Sequence, residues 1–259
     1  MSTRLWDRAA VVPARAGTTR KPELAALPVE LPTVAELFGF MRDAELRFAS
    51  LRMRIEERVI GSRGEQVQLI DVVVRHPGEA RVTTSEPSLG TSGNYELWLS
   101  DGETVRTYSG IHRLGTQRPV RRRVVGLDDP DLPSMSQVYT PITSLPMETL
   151  PESFVHPAGF CQNILATGDC RIVGTAEQAG REAIVFECFH PRSTEVTTDR
   201  PDHHFLITVD RDTGIISRLV ELVGDDVTRD AEVTTLETDV VLPPAAFLFA
   251  FPSDATMLY

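Results

Sequence analysis

The stretch FLITVDRDTGIISRLVEL, residues 205–222, decides how the rest of the chain is read. Phe205, Ile207 and Val209 alternate with polar or smaller residues, which is the two-residue period of a half-buried strand. A second apolar run follows with Ile215, Ile216, Leu219, Val220 and Leu222. Between them lies Asp210-Arg211-Asp212-Thr213-Gly214. An Asp side chain bonds its own backbone in turns, and Gly tolerates positive φ, so this segment predicts a β-hairpin with one buried side.

The same grammar recurs upstream. Leu51, Met53, Ile55, Glu57 and Val59 alternate with Arg52, Arg54, Glu56 and Arg58, a strand with a charged outer face. Gln68, Ile70, Val72 and Val74 share one face of the returning segment. Pro77-Gly78 marks a turn, 80–84 a third strand, and 95–99 and 104–108 pair around Asp101-Gly102. Downstream, 171–176, 182–189 and 227–241 read as strands. Thr33 and Glu36 form a capping box for a helix over 34–47, with Val34, Leu37, Phe38, Met41 and Leu46 at helical spacing. Residues 154–165 read as a short helix weakened by Pro157 and Gly159. Prolines 119, 130, 133, 141 and 146 make 110–150 a long crossover or lid. The expected fold is α+β: one strongly curved antiparallel sheet, an unclosed β-barrel of about ten or eleven strands, with helices covering its concave side.

Composition narrows the function classes. The chain has 259 residues, 41% hydrophobic and 24% charged, enough to bury a core without staples. A net charge of −11 argues against a phosphate-backbone binder, so no nucleic acid partner is expected. Lys21 is the sole lysine, which reads as coding bias. Residues 1–32 carry Arg4, Arg8, Arg15, Arg20 and Lys21 and read as a flexible basic arm before a single domain over 33–259. No apolar signal region, lipoprotein cysteine or transmembrane run is visible, so the expectation for the chain as written is cytoplasmic. Of the three cysteines, Cys161 and Cys170 are near enough in sequence to pair in an oxidising compartment, leaving Cys188 free and buried.

Several segments together resemble the LolA/LolB and RseB-type superfamily, which includes the LppX/LprG-like lipid-binding lipoproteins. They are His76-Pro77-Gly78-Glu79-Ala80-Arg81-Val82, Leu97-Trp98-Leu99-Ser100-Asp101-Gly102 and Ile207-Thr208-Val209-Asp210-Arg211-Asp212-Thr213-Gly214. Leu242-Pro243-Pro244 and Phe247-Leu248-Phe249 complete the series. The resemblance covers 33–255. It implies an unclosed barrel of about eleven strands with a helical lid. It also implies binding of lipoprotein acyl chains or other lipids or, in the RseB branch, regulation of an anti-sigma factor. An exported protein is implied if translation starts elsewhere.

No constellation of catalytic residues stands out. His203 and His204 are adjacent, and neighbouring strand residues point to opposite faces, so they do not chelate one ion. Asp210 and Asp212 lack the remaining ligands of a calcium loop. Arg121, Arg122 and Arg123 read as a solvated connector face near Asp128 and Asp129. Neither a metal nor a cofactor is expected. The aromatics Phe38, Trp98, Phe186 and Phe205 fall on inward or helix-facing positions. The expected cavity lining is Phe38, Met41, Leu97, Phe186, Phe205 and Ile207. The expected function is non-enzymatic binding of a hydrophobic ligand or a lipidated protein. The alternative is a regulatory module that docks a protein partner.

Overall fold

A computed structural model describes residues 24, 26–62, 64–89, 94–120, 141–191 and 202–258. Most of the basic arm, the Arg121–Arg123 run, Asp128 and Asp129 lie outside the described residues. The expectation for the arm ran to residue 32, but its last part is docked. Leu27 packs on the main core, and Arg211 Nη2 donates to the carbonyls of Pro28, Val29 and Glu30.

Strands β1 (Ser50–Gly61), β2 (Gly64–Arg75), β3 (Glu79–Ser85), β4 (Tyr95–Asp101), β5 (Thr104–Ser109) and β6 (Leu114–Pro119) form a meander. After the crossover come β7 (Asp169–Gln178), β8 (Arg181–Phe189), β9 (His203–Asp210), β10 (Ile216–Val223) and β11 (Asp226–Thr238), then the short β12 (Thr256–Leu258). All twelve join one sheet in the order β12-β6-β5-β4-β3-β2-β1-β11-β10-β9-β8-β7. Only β12 on β6 is parallel. The sheet does not close, because β7 and β12 remain its two edges. Register shifts beside Arg54/Ile55, Ile172/Gly174, Ile216/Arg218 and Glu221/Leu222 insert bulges, which bend strands and increase twist.

This is the curved, open α+β architecture expected, with twelve strands where about ten or eleven were read. The difference is at β6 and β12. Leu114-Gly-Thr-Gln-Arg-Pro119 has poor intrinsic strand propensity and fell within the expected crossover. Pairing with β5 makes it a strand, including a Thr107–Thr116 hydroxyl hydrogen bond of 2.6 Å.

The opening hairpin forms as the sequence dictates. Asp210 Oδ1 accepts from Thr213 N (2.8 Å) and Thr213 Oγ1 (2.6 Å), while Arg181 Nε donates to Oδ2 at 2.6 Å. Gly214 takes φ +79°, and a Cβ there would lie 3.1 Å from Phe40. Phe40 belongs to α1 (Val34–Arg42), whose N-cap Thr33 and Glu36 make the expected reciprocal box. The helix ends earlier than the expected residue 47. A tighter 3-10 turn, Ala44–Leu46, replaces its last turn and carries Ala44 and Glu45 inward. The expected helix at 154–165 is two helices, α2 (Leu150–Val155) and α3 (Pro157–Asn163). Proline has no N–H for the preceding turn, so Pro157 starts a new helix.

The concave face follows from the register. Leu51, Met53 and Ile55 of β1 continue into Val74, Val72 and Ile70 of β2 and into Val233 and Leu236 of β11. With Ile184, Phe186, Ile207, Val209 and Leu219 they form the main core under α1, α2 and α3. A second cluster lies on the other face. There Leu97, Leu99 and Tyr108 are covered by Phe249, Phe251 and Ala255 of the returning C-terminal segment.

Gly115 marks the close approach of that segment, since a Cβ there would sit 2.6 Å from Phe251 Cε1 and 3.0 Å from Met257 Sδ. Gly115→Ala should destabilise the protein by about 1–3 kcal/mol through overpacking. Denaturant unfolding checks this, and the loss should shrink when Phe251→Leu is added.

Candidate ligand cavity

The β3–β6 half of the concave face is reached only by the start of α2 among the described helices, and a cavity of about 550 Å³ opens there. Two rows of side chains form its floor. One runs from Ile70 through Thr84, Glu96 and Ser109 to Leu114, on β2 to β6. The next runs from Val82 through Trp98 and Thr107 to Thr116 and Leu258. Its roof is the segment from Pro146 to Pro151, with Leu150 buried and Glu148 held at φ +59°.

One wall holds an ion pair. Glu57, in phase with the apolar residues of β1, is 6% exposed. Arg229 Nε and Nη2 both engage its Oε1 at 2.6 Å. Two charges taken from water need such geometry to offset desolvation. Ser109 Oγ is a buried oxygen without a hydrogen-bond partner among the described residues, although it stands on the cavity floor.

A polar cluster ties the roof down. Ile142 N donates to Glu45 Oε2 (2.9 Å), which also lies 3.3 Å from His156 Nδ1. His156 Nε2 faces the Thr143 carbonyl at 2.8 Å, so this nitrogen is the donor. Thr143 Oγ1 accepts from Gly78 N (2.8 Å), leaving its proton for His76 Nδ1 at 2.7 Å. His76 stacks on Phe48, and burial lowers its pKa. Glu45 is 3% exposed, and burial pushes its pKa up from 4.5 to about 7, opposed by the Ile142 hydrogen bond.

Most of the expected lining lies elsewhere. Met41, Phe186, Phe205 and Ile207 are buried in the main core, and Phe38 packs edge-on to Phe186 at 5.9 Å. Helices fill this half: α3 brings Phe160 to Phe205 at 6.0 Å and Cys161 Sγ to Met41 Sδ at 3.7 Å. Phe38 also borders a separate groove between α1 and α3. Leu97 alone of the six borders the cavity, and it belongs to the second cluster. Its neighbour Trp98 stands on the floor row, since adjacent strand residues cannot share a face. The six residues therefore do not enclose one shared volume.

Sequence reasoning missed Gln68, Thr84, Glu96, Ser109 and Arg229 because they are polar, and apolar phase was the search signal. Glu57 on the apolar phase of β1 was the available clue. Cys170 lies opposite Cys188 on β7 and β8, and all three thiols are free. His203 and His204 take opposite faces of β9: His203 meets Glu221 at 2.8 Å, and His204 stacks on Phe189.

No family model and no curated protein matches the chain. Solved structures similar to it include the Pseudomonas aeruginosa MucA/MucB complex. There the identity is 19%, with 83% of this chain and 60% of that chain covered, at a TM-score of 0.47. This chain thus spans less than two thirds of that one. An uncharacterized conserved protein from Thermus thermophilus is 13% identical over 86% of this chain and 98% of that one, TM-score 0.49. A LolA superfamily protein from Nitrosomonas europaea is 10% identical over 85% and 99%, TM-score 0.35.

Two outcomes follow from the geometry. Ile207, fully buried in the packed half, should lose about 2–5 kcal/mol on change to Ala, the value of a filled core, as measured by denaturant unfolding. Glu45 binds its proton more tightly folded, at about 7, than unfolded, near 4.5. Its contribution is complete below pH 4.5 and is lost as pH rises through 7. Relative to Glu45→Gln, which cannot lose a proton, the wild type should lose up to roughly 3 kcal/mol across that window. Paired unfolding curves from pH 4 to pH 8 read the difference.

Proposed function

We propose that the chain binds a hydrophobic ligand, a lipid or acyl chain, in the cavity between β2–β6 and the 146–151 roof, without performing chemistry on it. The carrying observation is the contrast between the two halves of the concave face: one is filled by helices, the other keeps about 550 Å³ open. That volume falls in the range of small-molecule pockets. Ile70, Val82, Trp98, Leu114, Leu150 and Leu258 offer apolar wall. Each ligand CH₂ desolvated there contributes about 0.8 kcal/mol, so shape and apolarity suffice for affinity. No His, Cys or Lys lines the cavity among the described residues, and the Glu57 carboxylate already holds Arg229, which supports binding rather than catalysis. A lipidated protein could deliver its acyl chain to the same wall.

Trp98 is the natural reporter. The chain has two tryptophans, so Trp6→Phe leaves Trp98 alone. Titrating that variant with decanol should shift its emission to shorter wavelength and saturate. Unchanged emission with decanol and with every other alkyl probe overturns the reading, in favour of a scaffold that docks a protein partner.

A further inference from the structure

The cavity that the proposed function reads as a lipid site has an order of polar and apolar groups that selects among ligands. Across β3, β4 and β5, one rung presents Thr84, Glu96 and Ser109 side by side. The adjoining rung presents Val82, Trp98 and Thr107. A carboxylate flanked by two hydroxyls therefore sits next to an apolar and aromatic floor.

The charges lean one way. Glu57, Glu96 and Glu148 line the cavity against the single guanidinium of Arg229, which is committed to Glu57. Neither Glu96 nor Glu148 forms an ion pair with a described residue. A smaller cavity of about 190 Å³ adjoins the first, shares Gln68, Thr84 and Glu96 with it, and adds Glu86. Glu96 thus stands where the two meet, and the approach carries negative charge on both sides. Thr84, across from Glu96 on β3, adds a hydroxyl to the same rung.

We propose that the ligand is a cationic amphiphile, an apolar body ending in a protonated amine. Its ammonium has N–H donors and no acceptor, matching the Glu96 carboxylate and the Thr84 hydroxyl oxygen. The first methylenes then lie over Trp98, whose ring face attracts the same charge. An anionic headgroup meets three carboxylates, and the one cation among the described lining residues is already paired.

This inference rests on the cavity reading, so the test separates the two. Full-length protein carrying Trp6→Phe is titrated with decylammonium, decanol and decanoate, with Trp98 emission as the readout. Decylammonium should bind about tenfold tighter than decanol, or about 1.4 kcal/mol, with decanoate weakest. Glu96→Gln should bring the decylammonium-to-decanol ratio close to one, and higher salt should lower it in the parent protein. Equal binding of decylammonium and decanol, or tighter binding of decanoate, overturns the charge assignment while the cavity reading stands. Binding of none overturns both. A ratio that Glu96→Gln leaves unchanged overturns the role given to that carboxylate and with it the proposed headgroup site.

Discussion

Coverage is the constraint from which the rest follows. Twelve strands about 4.8 Å apart make a sheet roughly 50 Å across before curvature. Against it the described residues set three helices of nine, six and seven residues. The longest spans about 14 Å. Such helices cannot cover the whole concave face. They gather over β1, β2 and β7–β11, where most inward residues are apolar, and build a close-packed core there. Over β3–β6 the cover is the Pro146–Pro151 segment, a turn that runs into the start of α2, and the inward residues turn to Thr, Ser and Glu among the apolar ones. A sheet curved by bulges and half covered is both a stable core and a container.

The roof needs its own attachment, because a short turn segment contributes little apolar area. The Glu45, His156, Thr143 and His76 cluster supplies it. Its groups are buried, so each hydrogen bond acts in a low dielectric, and breaking one leaves a costly unpaired atom. The shortened α1 is part of this arrangement, since the 3-10 turn after it carries Glu45 inward to meet the Ile142 N–H. The pKa of Glu45, raised to about 7, is the electrostatic cost of that placement.

The outward face follows a simpler rule. Arg54 with Asp71, Arg171 with Glu187 and Arg218 with Asp230 pair across neighbouring strands. Such pairs, largely exposed, contribute little each. They offset the like-charge opposition of Glu56 and Glu232 across β1 and β11 only in part. The exception is the Leu97, Leu99 and Tyr108 patch, which needs the C-terminal aromatics as a cover. Gly115 exists as glycine because Phe251 occupies the space of its Cβ.

Alternation at 51–59 and 205–209, the Asp-Gly and Asp-x-x-Thr-Gly turns, and the Thr33/Glu36 box are local devices. Each acts through neighbours in sequence, so the strands, hairpins and helix start were legible from the chain alone, as was the antiparallel, open α+β class. What depended on distant partners was not. β6 is a strand because β5 pairs with it, and β12 because β6 offers an edge. The inward phase of Phe186, Phe205 and Ile207 was readable, but whether inward meant core or cavity depended on where α1 and α3 came to rest. For Leu97 and Trp98 the phase itself was set by pairing across β3–β5. The polar rung of Thr84, Glu96 and Ser109 comes from three strands whose local patterns say nothing of one another, and only the register of the folded sheet puts them side by side.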